Sequence, residues 1–237
     1  MSVKMAGRDR DVARIAERQM RNWELARGQR VAAAEVRGAK VAEFITISRE
    51  VGAGGSEVAA AVGTRLGWPV FDKEILHFMA GDDAIRERIY RSMDERDLSW
   101  CEEALRSLTE PEFVRNDYFH RLCETVLTLA RQGSAVFLGR GADLILPREI
   151  GVRVRIVAPM AKRMERVMKR EALSAEAARA MIERSESERA AFLMNHFDVD
   201  MGGALRHDVV LSLDRMSVEQ GVELVLSARK LLNPAVR

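Results

Sequence analysis

Only two cysteines, Cys101 and Cys123, occur in the chain, with no C-x-x-C pair. That excludes a disulfide framework and a zinc site of the usual spacing, and leaves two thiols expected to be buried in a reducing compartment. No segment offers the ~18 uncharged apolar residues that a bilayer span requires, and "MSVKMAGRDRDVARIAERQ" has no apolar leader region, so a cytoplasmic protein with no membrane contact is expected. An excess of one charge is also missing: 38 basic residues face 36 acidic ones, which gives no general field for nucleic acid. Internal repeats and low-complexity tracts are absent. A chain of 237 residues then suits one main α/β core with attachments.

What is present alternates. Short β-rich runs at 44–48, 68–72, 134–139, 152–158 and 208–213 are separated by helix-length intervals. This predicts a five-stranded parallel sheet covered by helices on both faces. Residues 9–36 place Val12, Ile15, Ala16, Met20, Trp23 and Ala26 at helical spacing among charges, which predicts an amphipathic helix ahead of the first strand. Residues 1–43 thus form an N-terminal extension, expected to pack on the domain, on a second copy of the chain or on a protein partner. Two intervals exceed a plain crossover: 73–133, broken near Gly81 to Asp83 and at Pro111, and 159–207, read as two or three helices. Both follow strands at the sheet's carboxyl end, where a substrate-binding insertion and a lid would sit. Met160, Met164 and Met168, spaced i, i+4, i+8, read as a core stripe.

The stretch "FITISREVGAGGSEVAAAVGTRL" runs strand, glycine-rich turn, helix. Amides in such a turn, followed by a helix N-terminus, form a concave donor site for phosphate oxygens. Laid over Arg49 to Ser56, the full phosphate-loop pattern G-x-x-x-x-G-K-[ST] keeps Gly54 and Ser56. Its first glycine is replaced by Arg49 and its lysine by Gly55. Gly52, Ala53, Gly54, Gly55 and Ser56 are therefore the candidate phosphate cradle, with Ser56 at the place of the magnesium-binding hydroxyl. Arg49, at the strand end, is the nearest cation to stand in for the lysine, and a lid arginine is the other.

"ITISREVGAGGSEVA", "LGWPVFDKEIL", "AVFLGRGADLIL" and "RVRIVAPMAKRMERVMKREALSAEAARAMIERSESERAAF", in that order over about residues 44–230, make the chain resemble the cytidylate kinase-like family of P-loop nucleoside monophosphate kinases. The resemblance implies a P-loop kinase-like domain over 44–237, with 73–133 as the monophosphate-binding insertion and 159–207 as the lid. It implies transfer of the γ-phosphoryl group of ATP, with Mg²⁺, to a nucleoside monophosphate, typically CMP or dCMP. By the same resemblance Gly52 to Ser56 match the ATP-phosphate loop, and Phe71 to Glu74, including Asp72 and Lys73, match the start of the acceptor region. Arg140 matches an arginine beside the acceptor. Arg163, Arg166, Arg184 and Arg189 match lid arginines that cover the phosphates, with Arg184 and Arg189 the stronger candidates.

Other readings stand beside these. The lid arginines equally suit a solvated helix face paired with Glu165, Glu183 and Glu188. Asp72, Asp143 and Asp208 lie at or near strand ends, either as magnesium-associated carboxylates or as caps and turn residues, the latter favoured for Asp208. Where the family's cytidylate kinases read G-R-D, this chain reads Gly139-Arg140-Gly141, and Asp143 is the nearest acid for nucleoside recognition. The four histidines share no spacing and are expected to be structural or exposed. Two further functions follow: a non-catalytic module that binds a nucleotide or phosphometabolite, and a kinase for a different small acceptor.

Overall fold

The computed structural model describes residues 11–21, 43–91, 93, 101–105, 117–148 and 150–232. Five strands, β1 (Phe44–Arg49), β2 (Val70–Phe71), β3 (Ala135–Leu138), β4 (Val152–Val157) and β5 (Val209–Ser212), form one parallel sheet in the order β2-β3-β1-β4-β5. Helical residues 11–21 (α1) precede β1. Then come α2 (Gly55–Leu66), α3 (Lys73–Gly81), α4 (Asp83–Tyr90), residues 101–105 (α5), α6 (Asp117–Gln132), α7 (Ala142–Ile145), α8 (Met160–Glu171), α9 (Ala175–Phe197) and α10 (Val218–Leu232). The expected breaks have local causes. Asp72 caps α3 by accepting from the amides of Glu74 and Ile75, both at 3.0 Å, and Asp82 caps α4 through Ile85 at 3.0 Å. Pro111 and residues 22–36 of the extension lie outside the described residues.

Alternation along the strands sorts the core into two layers. Ile45, Ile47, Val136, Leu138, Val152, Val154 and Ile156 face α2 and α10. Phe44, Phe71, Ala135 and Phe137 face α3 and α6, and Ala16 and Met20 of α1 are fully buried in that same layer. Cys101 and Cys123 lie there too; burial pushes the Cys123 thiol up to about 12, which leaves it unreactive. Across the described residues no helix is long and apolar enough to cross a membrane.

The run Val152-Arg153-Val154-Arg155 looks like a strand with one wet face, yet β4 lies inside the sheet. Arg153 is 2% exposed, and its guanidinium donates to three carbonyls: Asp143 at 3.0 Å, Arg148 at 3.0 Å and Leu146 at 2.7 Å. Its amide donates to the Asp208 carboxylate at 2.7 Å, which accounts for Asp208 as a structural acceptor. Arg153→Met fills the space but orphans these carbonyls. It is expected to cost about 3 kcal/mol, read as a lower urea midpoint at unchanged m-value.

Candidate functional site

At the carboxyl end of β1 the chain turns through Gly52 (φ 78°) and Gly54 (φ 94°) into α2. These left-handed angles favour glycine, and a Cβ on Gly52 would stand 2.6 Å from the Arg163 carbonyl. Two arginines of α8 hold the outer side of this turn. Arg163 donates from Nε to the Val51 carbonyl at 2.8 Å, and Arg166 donates from Nη1 to the Ala53 carbonyl at 2.8 Å. Because C=O and N–H of a trans peptide point in opposite directions, fixing these carbonyls turns the amides of Gly52 and Gly54 inward. Gly55 and Ser56 open the first turn of α2, where amides have no helical acceptor. Among the described residues no protein acceptor meets the N–H groups of Gly52, Gly54, Gly55 or Ser56. Ser56 itself is exposed.

Arg163 and Arg166 are thus braces of the loop, neither lid fingers nor solvated face residues. Arg163 is buried, pairs with Glu186 of α9 and reaches Glu50 at 3.5 Å. Glu50 in turn accepts from the Ala158 amide at 3.1 Å.

The side chain of Arg49 passes beneath α2. A Cβ added to Gly55 would lie 2.6 Å from the Cβ of Arg49 and 2.8 Å from its Cγ, and one added to Gly139 would collide with its Nη1. Gly55, the residue in the lysine's place, is therefore the vacancy that Arg49 fills. The two departures from the loop pattern are in contact: the space that a side chain at position 55 would need is taken by Arg49 at the end of the strand.

Beside this arginine, at the carboxyl ends of β1 and β3, opens a cavity of about 260 Å³. Arg49, Arg140 and Arg189 converge on it, and Lys73, Arg155 and Arg206 bring the cations on its wall to six, against the carboxylates of Asp143 and Glu188. Arg140 occupies a left-handed conformation (φ 56°) between Gly139 (φ 79°) and Gly141 (φ 67°). Its guanidinium lies 5.0 Å over the Phe192 ring, and its buried Nε has no partner among the described residues. Arg189 donates to the Arg49 carbonyl at 2.9 Å. Burial first, then the neighbouring Arg189, pulls Arg49 down from the ordinary arginine value to about 9. Burial likewise lowers Arg189, and burial followed by Arg140 lowers Lys73.

A cluster of like charges held out of water costs stability until an anion enters it. Inorganic phosphate at millimolar concentration is expected to raise the melting temperature by several degrees, by mass action. Arg49→Met should melt higher without phosphate and respond to it less. The sign follows from the depressed value: below pH 9 the charged arginine both weakens the ligand-free fold and attracts the anion. As pH rises through about 9, both effects fade. Scanning calorimetry at pH 7 and pH 9.5 reads each one; a phosphate response that Arg49→Met leaves intact would remove Arg49 from the anion site.

The other expected residues divide. Asp72 spends its carboxylate on the α3 cap and lies close enough to Arg49 to favour its charge. Asp143, buried on the cavity wall, faces Arg206 Nε at 3.5 Å and His207 Nε2 at 3.7 Å. Arg184 is exposed, pairs with Glu188 at 3.8 Å and stays out of the cavity. Met160, Met164 and Met168 are only half-buried and line an open surface groove.

Arg155, Arg206, His207 and Ser48 join the site without any signal in local sequence. Ser48 Oγ lies 2.8 Å from His207 Nε2. Serine and Asp143 both approach the same ring nitrogen, so the trio is no proton relay of the serine-hydrolase type, which needs the two ring nitrogens apart. Burial lowers the His207 pKa and keeps the ring neutral beside Arg206 and Arg155.

The chain matches the model of the cytidylate kinase-like family over residues 44–215. It is similar to the cytidylate kinase of Halorubrum lacusprofundi, at 27% identity over 192 residues that make up 81% of this chain and 92% of that protein. Among solved structures it is similar to an uncharacterized protein from Eubacterium ventriosum, with TM-score 0.60 at 20% identity, covering 78% of this chain and 96% of that one. At that identity the likeness is one of fold.

Proposed function

We propose, for a chain that belongs to the cytidylate kinase-like family, that it transfers the γ-phosphoryl group of ATP to a nucleoside monophosphate, most readily CMP or dCMP. The observation that carries the reading is the meeting of Arg49, Arg140 and Arg189 in one cavity beside a glycine turn whose Gly52, Gly54, Gly55 and Ser56 amides meet no acceptor among the described residues. Phosphoryl transfer asks little covalent chemistry of a protein; it asks for positioning and for cations around the transferring group. Gly52, Ala53, Gly54, Gly55 and Ser56 would hold the ATP phosphates, and ATP supplies the phosphoryl group.

Ser56, exposed at the first turn of α2, would offer its hydroxyl to a Mg²⁺ ion carried in with ATP, and the ion would supply charge neutralisation on the transferring phosphates. Arg49 takes the lysine's electrostatic part from the strand side. Arg140 grips the acceptor phosphate through a planar fork that suits bidentate binding. Arg189, held to the Arg49 backbone, adds charge from α9. Lys73 at the start of α3 screens the two phosphate chains from each other. Asp143 orients Arg206 at the nucleoside side, with Asp72 fixing the first turn of α3.

A coupled assay for ADP, run with Mg-ATP and a panel of nucleoside monophosphates, tests the reading. CMP and dCMP are expected to turn over fastest. Transfer without pyrimidine preference would point to another small acceptor, and nucleotide binding with no ADP from any acceptor would leave a binding module.

A further inference from the structure

A second cavity, of about 670 Å³, adjoins the arginine cavity through shared Lys73 and Arg140. Its far wall comes from Glu74, His77 and Phe78 of α3 and from Val12 of α1. Val12 lies well ahead of residue 44, where the family match begins, so part of this cavity is built by the chain's own N-terminal extension. We propose that α1 is a fixed wall of the acceptor site and that Val12 limits the size of the acceptor's base. The proposal rests on the nucleoside monophosphate reading and deepens it.

Three separate attachments hold α1 in place. Ala16 and Met20 are fully buried against the layer that contains Phe71, Leu76 and Met79. Gln19 accepts from the Val70 amide of edge strand β2 at 3.3 Å. Glu17 pairs with Arg88 of α4 at 3.2 Å. The helix thereby ties the sheet edge to the helices that follow β2, and its position relative to α3 is set by packing.

The chemistry of the cavity is graded. One end is cationic, at Lys73 and Arg140, where an acceptor phosphate would anchor. The other is mixed, with the Phe78 ring and the Val12 branch as apolar faces and the Glu74 carboxylate and His77 imidazole as polar edges. His77 Nδ1 lies 2.9 Å from the Tyr118 phenol oxygen Oη, a hydrogen bond that fixes the imidazole ring. A phosphate followed by a flat body with hydrogen-bonding edges matches that order, and a nucleoside monophosphate has that form.

Calorimetric titration with CMP, AMP and inorganic phosphate separates the possible outcomes. Val12→Trp is expected to weaken CMP binding at least 10-fold while phosphate, held at the arginine end, binds as before. Val12→Ala, which carries no risk of crowding, is expected to narrow the preference for CMP over AMP several-fold. CMP binding and base preference unchanged in both variants would overturn the wall and leave the kinase reading intact. A wild-type protein that binds CMP no more tightly than phosphate would overturn both together.

Discussion

Gly55→Lys, which writes the missing lysine back into the loop, is expected to lower ATP-dependent turnover by about 10²-fold, on the scale of losing one preorganised donor to the transferring group. The added Cβ would lie 2.6 Å from the Cβ of Arg49. That contact is between carbons next to the backbone, where no side-chain rotation gives relief. Either the start of α2 or the end of β1 must shift, and the cradle amides shift with it. The double variant R49G/G55K removes the obstacle and reads G-E-V-G-A-G-K-S over residues 49–56, the full phosphate-loop pattern. It should turn over faster than either single variant, a coupling between touching residues that a double-mutant cycle measures directly. Steady-state rates of the four proteins decide the matter: Gly55→Lys as active as the wild type would show that Arg49 leaves room for a side chain at position 55.

Arg140→Ala is expected to reduce kcat/KM for the acceptor by about 10²- to 10³-fold, the range for removing charge stabilisation from a phosphoryl-transfer site. The loss should fall on the acceptor, since the glycine turn and Arg49 are untouched, and ATP binding should change little. Arg140→Lys keeps a charge without the planar fork, so it should recover only part of the loss. The ligand-free protein should not be weakened by Arg140→Ala, because the substitution removes a charge whose Nε has no partner. An Arg140→Ala protein with full acceptor turnover would exclude this residue from the site.

The sheet was readable because parallel strands buried on both faces carry dense β-branched and aromatic runs between helices. Its least extended member shows the limit. The run 68–72 yields only Val70–Phe71 as strand, since Pro69 has no amide to give and Trp68 donates its own to Gly63 at 2.8 Å.

The place of Arg49 and Arg140 on the cavity was legible because Arg49 is the last residue of β1 and Arg140 follows the end of β3 by two residues, both at the sheet's carboxyl edge. Arg163 and Arg166 were misread because spacing shows that residues three apart share a helix face, and cannot say that this face meets the loop's carbonyls. Arg155 was hidden by an alternation that imitates a wet strand face. Ser48 and His207 are separated by 159 residues and meet only because β5 follows β4 across the sheet.

The left-handed run at Gly139, Arg140 and Gly141 carries an implication for how such a protein would change under selection. A side chain at Arg140 costs roughly 1 kcal/mol in that conformation, which a glycine would return. Lineages screened for heat resistance with no demand for turnover would gain from Arg140→Gly at a single codon. The proposed anchor of the acceptor is thus the residue that such a population is expected to discard early, while the glycine turn, braced from α8, persists. Sequencing the survivors of a stability-only screen would display that order of loss.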